Sequence, residues 1–238
     1  ICPTNFDYKP KIEMENRLIV DTFQREKPKN ILVLDNFTSP AISLDMDRVS
    51  DISHGNVVSQ IIENGLPNTN VEKMDFKTQT PDENQDQKVQ ELMNIFYDTK
   101  QGKKKYEAIN ISIGPLTKLK TLSEKTKQAI NPKNLASKTR EIKDYFLERR
   151  YQQTNNDEDE LLRNATNIMD ALDSISSTGT KIYVAAGNHG TKEFNFFSLI
   201  DNAIVVGALD NENQKAIYTT DNTIQSYMGI FKTENSFR

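Results

Sequence analysis

The chain has 238 residues, which is enough to bury a full hydrophobic core in one or two domains without a disulfide or metal staple. Its 30 Lys and Arg and 34 Asp and Glu give a formal net charge of −4, so it lacks the overall basic charge that marks nucleic-acid-binding proteins. A single cysteine excludes an internal disulfide framework, and only two histidines accompany it, so we expect no structural zinc site.

Five short apolar runs rich in β-branched residues predict β-strands. They are Ile31–Leu34, Val71–Phe76, Ala108–Ile113, Lys181–Ala186 and Ala203–Ala208. Their nearly continuous hydrophobic character is typical of parallel strands that are buried on both faces. All of them are much shorter than the roughly 20 apolar residues that cross a bilayer, so we expect no membrane span.

Segments with helical spacing of apolar residues lie between these strands. One contains Val57, Val58, Ile61 and Ile62, and a second runs from Val89 to Phe96. The strongest runs from Leu161 to Ile175, with Gly179 following it as a stop signal. Because strands and helices alternate, the sequence predicts an α/β fold: a doubly wound, mostly parallel sheet in a three-layer αβα arrangement.

We expect residues 1–238 to form a single domain with two additions. Residues 1–29 are polar and are interpreted as an N-terminal extension, whereas residues 115–160 are rich in Lys, Asn and Glu and are interpreted as a solvated, mostly helical insertion. The insertion ends in the acidic run Asp157–Glu160. This run leaves structural calcium open, but its spacing matches no calcium loop and favours a solvated face, so no cofactor is predicted.

Polar residues follow three of the predicted strands directly. They are Asp35 after the first strand, Ser112 and Gly114 at the end of the third, and Asn188 after the fourth. His54 opens the helix that follows the first strand. Because ligands of open parallel sheets gather at the carboxyl ends of the strands, we expect these residues to share one edge.

Five pieces of the sequence, in order, resemble the conserved blocks of the subtilisin-like serine proteases. The pieces are ILVLDNF, SHGNVVSQII, INISIG, YVAAGN and AIVVGALD, which together cover about residues 31–210. The resemblance implies that Asp35 is the triad aspartate, that His54 is the general base and that Asn188 donates to the oxyanion. The chain departs from the family where Asn36 and Phe37 replace the usual Ser or Thr and Gly.

The resemblance also implies a polypeptide substrate that binds by strand addition between two segments. The residues concerned are Ser112, Ile113, Gly114, Ala185, Ala186 and Gly187. Ordinary sheet packing with small residues is the other interpretation of these segments. Pro115 stands where the family often has glycine.

The nucleophile predicted by this resemblance is Ser236. Its surroundings differ from the family motif G-T-S, because Glu234 and Asn235 stand where Gly and Thr are usual. A disordered terminal serine is the competing interpretation. The family's helix after this serine has no counterpart before Arg238, which favours a domain that is incomplete at its C-terminus.

Three functions remain open from the sequence. The first is a serine endopeptidase, and the second is a catalytically inactive subtilisin-like domain that binds extended peptides or a protein partner. The third, a nucleotide-binding or receiver-like domain, is disfavoured because neither G-x-G-x-x-G nor G-x-x-x-x-G-K-[ST] occurs. The resemblance alone favours a secreted or cell-envelope location, and the sequence leaves the oligomeric state open.

Overall fold

The structure is a computed structural model that describes residues 29–38, 53–66, 68–76, 85–152, 157–208, 214–216, 219–220 and 224. Of the N-terminal extension predicted over residues 1–29, only Lys29 is described, and it is the first residue of a strand. Ser236 lies outside the described residues.

Seven strands occur in the described residues: β1 (Lys29–Asp35), β2 (Thr69–Asp75), β3 (Ala108–Ile111), β4 (Leu116–Lys118), β5 (Lys181–Ala185), β6 (Glu193–Asn195) and β7 (Ile204–Val206). Five of them form one parallel sheet in the order β2-β1-β3-β5-β7. Strands β4 and β6 form a separate antiparallel pair. The predicted parallel sheet is therefore confirmed, whereas the short β4–β6 pair was not predicted.

The described residues contain five α-helices: α1 (His54–Gly65), α2 (Gln85–Lys100), α3 (Leu119–Thr126), α4 (Leu135–Arg149) and α5 (Asp157–Ser176), with a 3₁₀ helix at Phe196–Leu199. Helix α1 packs against β1 and β2, and α2 packs against α5. The predicted α/β fold is thus confirmed. None of the described helices is long and apolar enough to cross a membrane.

The core is built from the predicted apolar runs. Within β1, the side chains from Ile31 to Asp35 are all buried, as expected for a strand in the interior of a covered sheet. Strand β3 ends at Ile111, two residues before its predicted end, and β7 spans only Ile204–Val206. The sheet ladder therefore stops before the segment that carries Ser112 and Gly114.

The segment 115–160 is not simply solvated, which corrects the sequence interpretation. It contains β4, α3, α4 and the start of α5. Its apolar residues belong to the same hydrophobic cluster as the sheet; they are Leu119, Leu122, Ile130, Leu135, Ile142 and Phe146. The segment is polar in composition because only one side of each of its short helices faces the core.

Candidate active site

A buried aspartate and a half-exposed histidine meet at the carboxyl edge of the sheet. Asp35, the last residue of β1, is 0% exposed. The Nδ1 atom of His54 lies 2.8 Å from Oδ1 of Asp35 and 2.9 Å from Oδ2 of Asp35. The His54 side chain is 54% exposed. The backbone N–H of Asn36 also donates to Asp35 Oδ1 at 2.7 Å. Both oxygens of the buried Asp35 carboxylate therefore have hydrogen-bond partners, which a charged group that is removed from water requires.

The start of α1 is tied to the end of β1, which places His54 beside Asp35. Ser53 is the N-cap, with its hydroxyl accepting a hydrogen bond from the backbone N–H of Asn56 at 3.3 Å. The backbone N–H of Gly55 donates to the carbonyl of Asn36 at 2.9 Å. His54 therefore lies in the first turn of a helix whose first residues are hydrogen-bonded to the strand end.

The residues after Asp35 are held by contacts with the neighbouring strand β2 and with α1. The backbone N–H of Phe37 donates to Asp75 Oδ1 at 2.7 Å, and Asp75 ends the neighbouring strand β2. The Phe37 ring then lies against Gly55, where an added Cβ would come within 2.7 Å of it. Gly55 thus makes room for the Phe37 ring.

Gly55→Ala is expected to destabilise the protein by about 1–3 kcal/mol, because the new methyl group overpacks against the Phe37 ring. Urea unfolding of the two proteins measures the difference. Gly65→Ala in the same helix is the matched control, because an added Cβ there meets nothing within 4 Å. Equal midpoints for Gly55→Ala and Gly65→Ala would contradict the close packing of Phe37 on Gly55.

The hydrogen bond to Asp35 raises the pKa of the His54 imidazole above its ordinary value. Burial acts in the opposite direction, and the negative charge of Asp35 adds to the rise. The positive end of the α1 dipole disfavours an imidazolium at this position, so Asp35 more than offsets it. When the N–H of Nδ1 donates to the Asp35 carboxylate, the neutral ring has its free lone pair on Nε2, and this atom can act as a base.

The loop after β5 holds Asn188 at the same edge. Gly187 has φ +102°, a conformation that favours glycine, and its carbonyl accepts a hydrogen bond from the backbone N–H of Thr220 at 2.8 Å. Thr220 is fully buried, and its hydroxyl lies 3.4 Å from the backbone nitrogen of His189, which donates to it. Asn188 itself is exposed. The loop backbone is therefore fixed while the Asn188 side chain faces solvent.

The two predicted peptide-binding segments lie beyond the ladder that joins β3 to β5, although Ala185, the last residue of β5, still pairs with Val206 of β7. The ladder between these strands ends at the pair Ile111 and Val184. The backbone N–H of Ala186 donates to the carbonyl of Val206 at 2.9 Å, so this group belongs to the sheet and is not free for substrate. The side chain of Asn195 contacts both segments.

The sheet order brings most of the predicted site residues to one edge. Strands β1, β3 and β5 are direct neighbours, so Asp35, Ser112 and Asn188 all lie at the carboxyl ends of adjacent strands. Adjacent strands are about 4.8 Å apart, so about 10 Å separates the ends of β1 and β5 across β3. The roles of these residues, and of Ser236, remain predictions.

Two residues that shape this edge, Asn195 and Thr220, were not predicted from the sequence, and neither was the contact between Phe37 and Gly55. Each of these contacts joins residues that are distant in sequence, and no local motif marks it. Among the described residues, no group of three or more His, Cys, Asp or Glu is placed to hold a metal ion.

Comparisons with known proteins support the fold. No family model matches the sequence, and no curated protein matches it. Among solved structures the chain is similar to the prenylagaramide maturation protease PagA, with 14% identity over 92% of this chain and 68% of that one, and a TM-score of 0.50. It is also similar to the epidermin leader peptide processing serine protease EpiP from Staphylococcus aureus, with 13% identity over 92% of this chain and a TM-score of 0.50.

The chain spans 68% of the length of PagA and 57% of the length of EpiP. At these identities the similarity shows a fold shared with these two proteases.

Proposed function

We propose that this chain is the catalytic part of a subtilisin-like serine endopeptidase. The observation that carries the proposal is the hydrogen-bonded pair of Asp35 and His54, in which a buried carboxylate holds Nδ1 and leaves Nε2 free to act as a base. The position of the Asn188 loop at the same edge of the sheet adds to it.

The proposed reaction is acyl transfer in two steps. The Ser236 hydroxyl attacks a peptide carbonyl carbon, and His54 Nε2 takes the hydroxyl proton as the C–O bond forms. The C–N bond then breaks, and His54 returns the proton to the leaving amine. Water hydrolyses the acyl-enzyme by the same route. Asp35 stabilises the imidazolium in both steps, and the Asn188 amide donates to the oxyanion.

The second candidate is a catalytically inactive domain that binds extended peptides. It is favoured by the residues before Ser236, because Glu234 and Asn235 replace the glycine and threonine of the family motif. Both candidates take a polypeptide ligand. The solved neighbours are described as a maturation protease and a leader peptide processing protease, so precursor peptides are a natural first class of substrate.

The experiment that separates the two candidates is digestion of an unstructured polypeptide, followed by mass spectrometry of the products. Endopeptidase activity predicts internal cleavage that pretreatment with a fluorophosphonate abolishes, because this reagent phosphonylates activated serines. Binding of the polypeptide without any cleavage by a folded sample would reject the endopeptidase and favour the binding domain.

Asn188→Ala is expected to lower kcat about 10²–10³-fold with little change in KM, which is the loss found in subtilisin when one oxyanion donor is removed. The reason is that the donor acts on charge that develops only in the transition state. Steady-state kinetics on a peptide substrate measure this. His189→Ala is the matched control, because it alters the next exposed residue of the same loop. An equal fall in kcat for both variants would contradict a specific role for the Asn188 amide.

A further inference from the structure

Asn195 joins two strand ends through one buried side-chain amide. It is the last residue of β6 and is 3% exposed. Its Nδ2 atom donates to the carbonyl of Ile113 at 3.1 Å and to the carbonyl of Ala185 at 2.9 Å. Both N–H groups of the amide are therefore used, one on each of the two segments proposed to bind peptide.

The amide lies where the backbone ladder between β3 and β5 has stopped. The last paired residues of these two strands are Ile111 and Val184, so Ile113 and Ala185 both lie beyond this ladder. The Asn195 side chain also packs onto Gly114, where an added Cβ would lie 1.9 Å from its Oδ1 atom. The Asn195 side chain thus fills the space between the two segments.

Asn195 is itself held rigidly. The backbone N–H of the next residue, Phe196, donates to the carbonyl of Pro115 at 2.9 Å. The Phe196 ring is fully buried and packs edge-on against Phe146 of α4, with the ring centroids 5.1 Å apart. Helix α4, from the segment interpreted as a solvated insertion, therefore supports the residue that joins the two strand ends.

We propose that Asn195 is a positioning residue that sets the spacing between the peptide-pairing segment Ser112–Gly114 and the Asn188 loop. This inference rests on the proposed function of that edge. Carbonyls alternate in direction along an extended segment, so tying the Ile113 carbonyl to Asn195 turns those of Ser112 and Gly114 toward the opposite side. An extended peptide would pair with that free side, while the tie to Ala185 holds the start of the Asn188 loop.

A simpler role for Asn195 is to cap the 3₁₀ helix, because its Oδ1 atom accepts from the backbone N–H of Phe197 at 3.0 Å. Two substitutions separate the roles. Asn195→Asp and Asn195→Ser both keep an oxygen that can cap the helix, and both remove the N–H groups that reach Ile113 and Ala185. The serine variant adds no charge, so it controls for repulsion between a carboxylate and the two carbonyls.

Asn134 supplies the matched control. Its amide also donates to a backbone carbonyl, that of Ala129 at 2.9 Å, and accepts from the backbone N–H of Asn131 at 2.9 Å. It lies at the start of α4, outside the strand ends that form the candidate site. Asn134→Asp and Asn134→Ser therefore repeat the same chemical change in another loop.

The test combines peptide kinetics with hydrogen exchange of the backbone amides. Both Asn195 variants are expected to raise KM for an extended peptide about tenfold, the order of one lost hydrogen bond, and to lower kcat by up to about 10²-fold through misplacement of the oxyanion donor. Amide exchange should become faster in residues 112–114 and 186–190, and the Asn134 variants should leave all three quantities unchanged. If Asn195 only stabilised the fold, its substitution would reduce the fraction of folded protein without raising KM.

The two parts of the test separate this inference from the proposed function. Absence of cleavage by the parent protein would reject the endopeptidase, and the exchange comparison would still decide on Asn195. Faster exchange in both segments for both Asn195 variants supports the positioning role. Parent-like exchange in these segments, with parent-like KM where the parent is active, would overturn it.

Discussion

His54→Ala is expected to abolish peptide cleavage, with kcat falling about 10⁶-fold, the loss found in subtilisin when its triad histidine is removed. The physical reason is that a serine hydroxyl is a poor nucleophile at neutral pH without a base. In the described residues His54 is the histidine that a buried carboxylate orients. Initial rates on a peptide substrate, normalised to folded protein, measure the effect.

His189→Ala is the control for this result, because it removes the other histidine of the chain. It is expected to leave kcat unchanged. Retention of cleavage by His54→Ala, or its loss only in His189→Ala, would show that His54 is not the base.

Asp35→Asn is expected to lower kcat about 10⁴-fold, with the fold intact. The asparagine can donate an N–H to His54 Nδ1, which would favour the tautomer with its proton on Nε2 and block that atom as a base. Circular dichroism checks the fold, and peptide kinetics check the rate. A near-parental kcat would contradict the role given to Asp35.

The same substitution is expected to lower the pKa of His54, because the bond to Asp35 is the main cause of its raised value. Since the base must be neutral, the acidic limb of the rate profile follows the His54 pKa and should move to lower pH in Asp35→Asn.

The stability of the fold depends on the His54 pKa in the opposite sense, because the protonated imidazole is the form that Asp35 stabilises. A raised His54 pKa stabilises the fold below the unfolded value, about 6.5, and this contribution is lost as pH rises through the folded value. Imidazole proton signals followed by NMR against pH measure the pKa in both proteins.

Strand β1 could be predicted from the sequence because it is covered on both faces. Runs such as Ile31–Leu34 are then continuously apolar and cannot be confused with surface segments. The strands β4 and β6 could not be predicted, because each has only three residues, too few to show the alternation of apolar and polar residues. The sequence does not show that the segment 115–160 reaches the core, because its many lysines outweigh the few apolar residues that are buried there, such as Leu122 and Ile142.

The Asp35–His54 pair could be predicted because each residue lies directly at the end or start of a strong element. The contacts that support this pair could not be predicted from the sequence. Phe37 and Gly55 are 18 positions apart, and Asn195 reaches Ile113 across 82 positions, so only the folded chain brings them together. Such contacts depend on side-chain length and direction, which periodicity does not encode.

The central claim is that Asp35, His54 and Ser236 act as one triad, and mapping a fluorophosphonate adduct tests it most directly. The protein would be labelled, digested and analysed by peptide mass spectrometry, alongside His54→Ala and His189→Ala. The account predicts an adduct on Ser236 that is lost in His54→Ala and kept in His189→Ala. An adduct on a different serine, or no adduct on a folded sample, would contradict it.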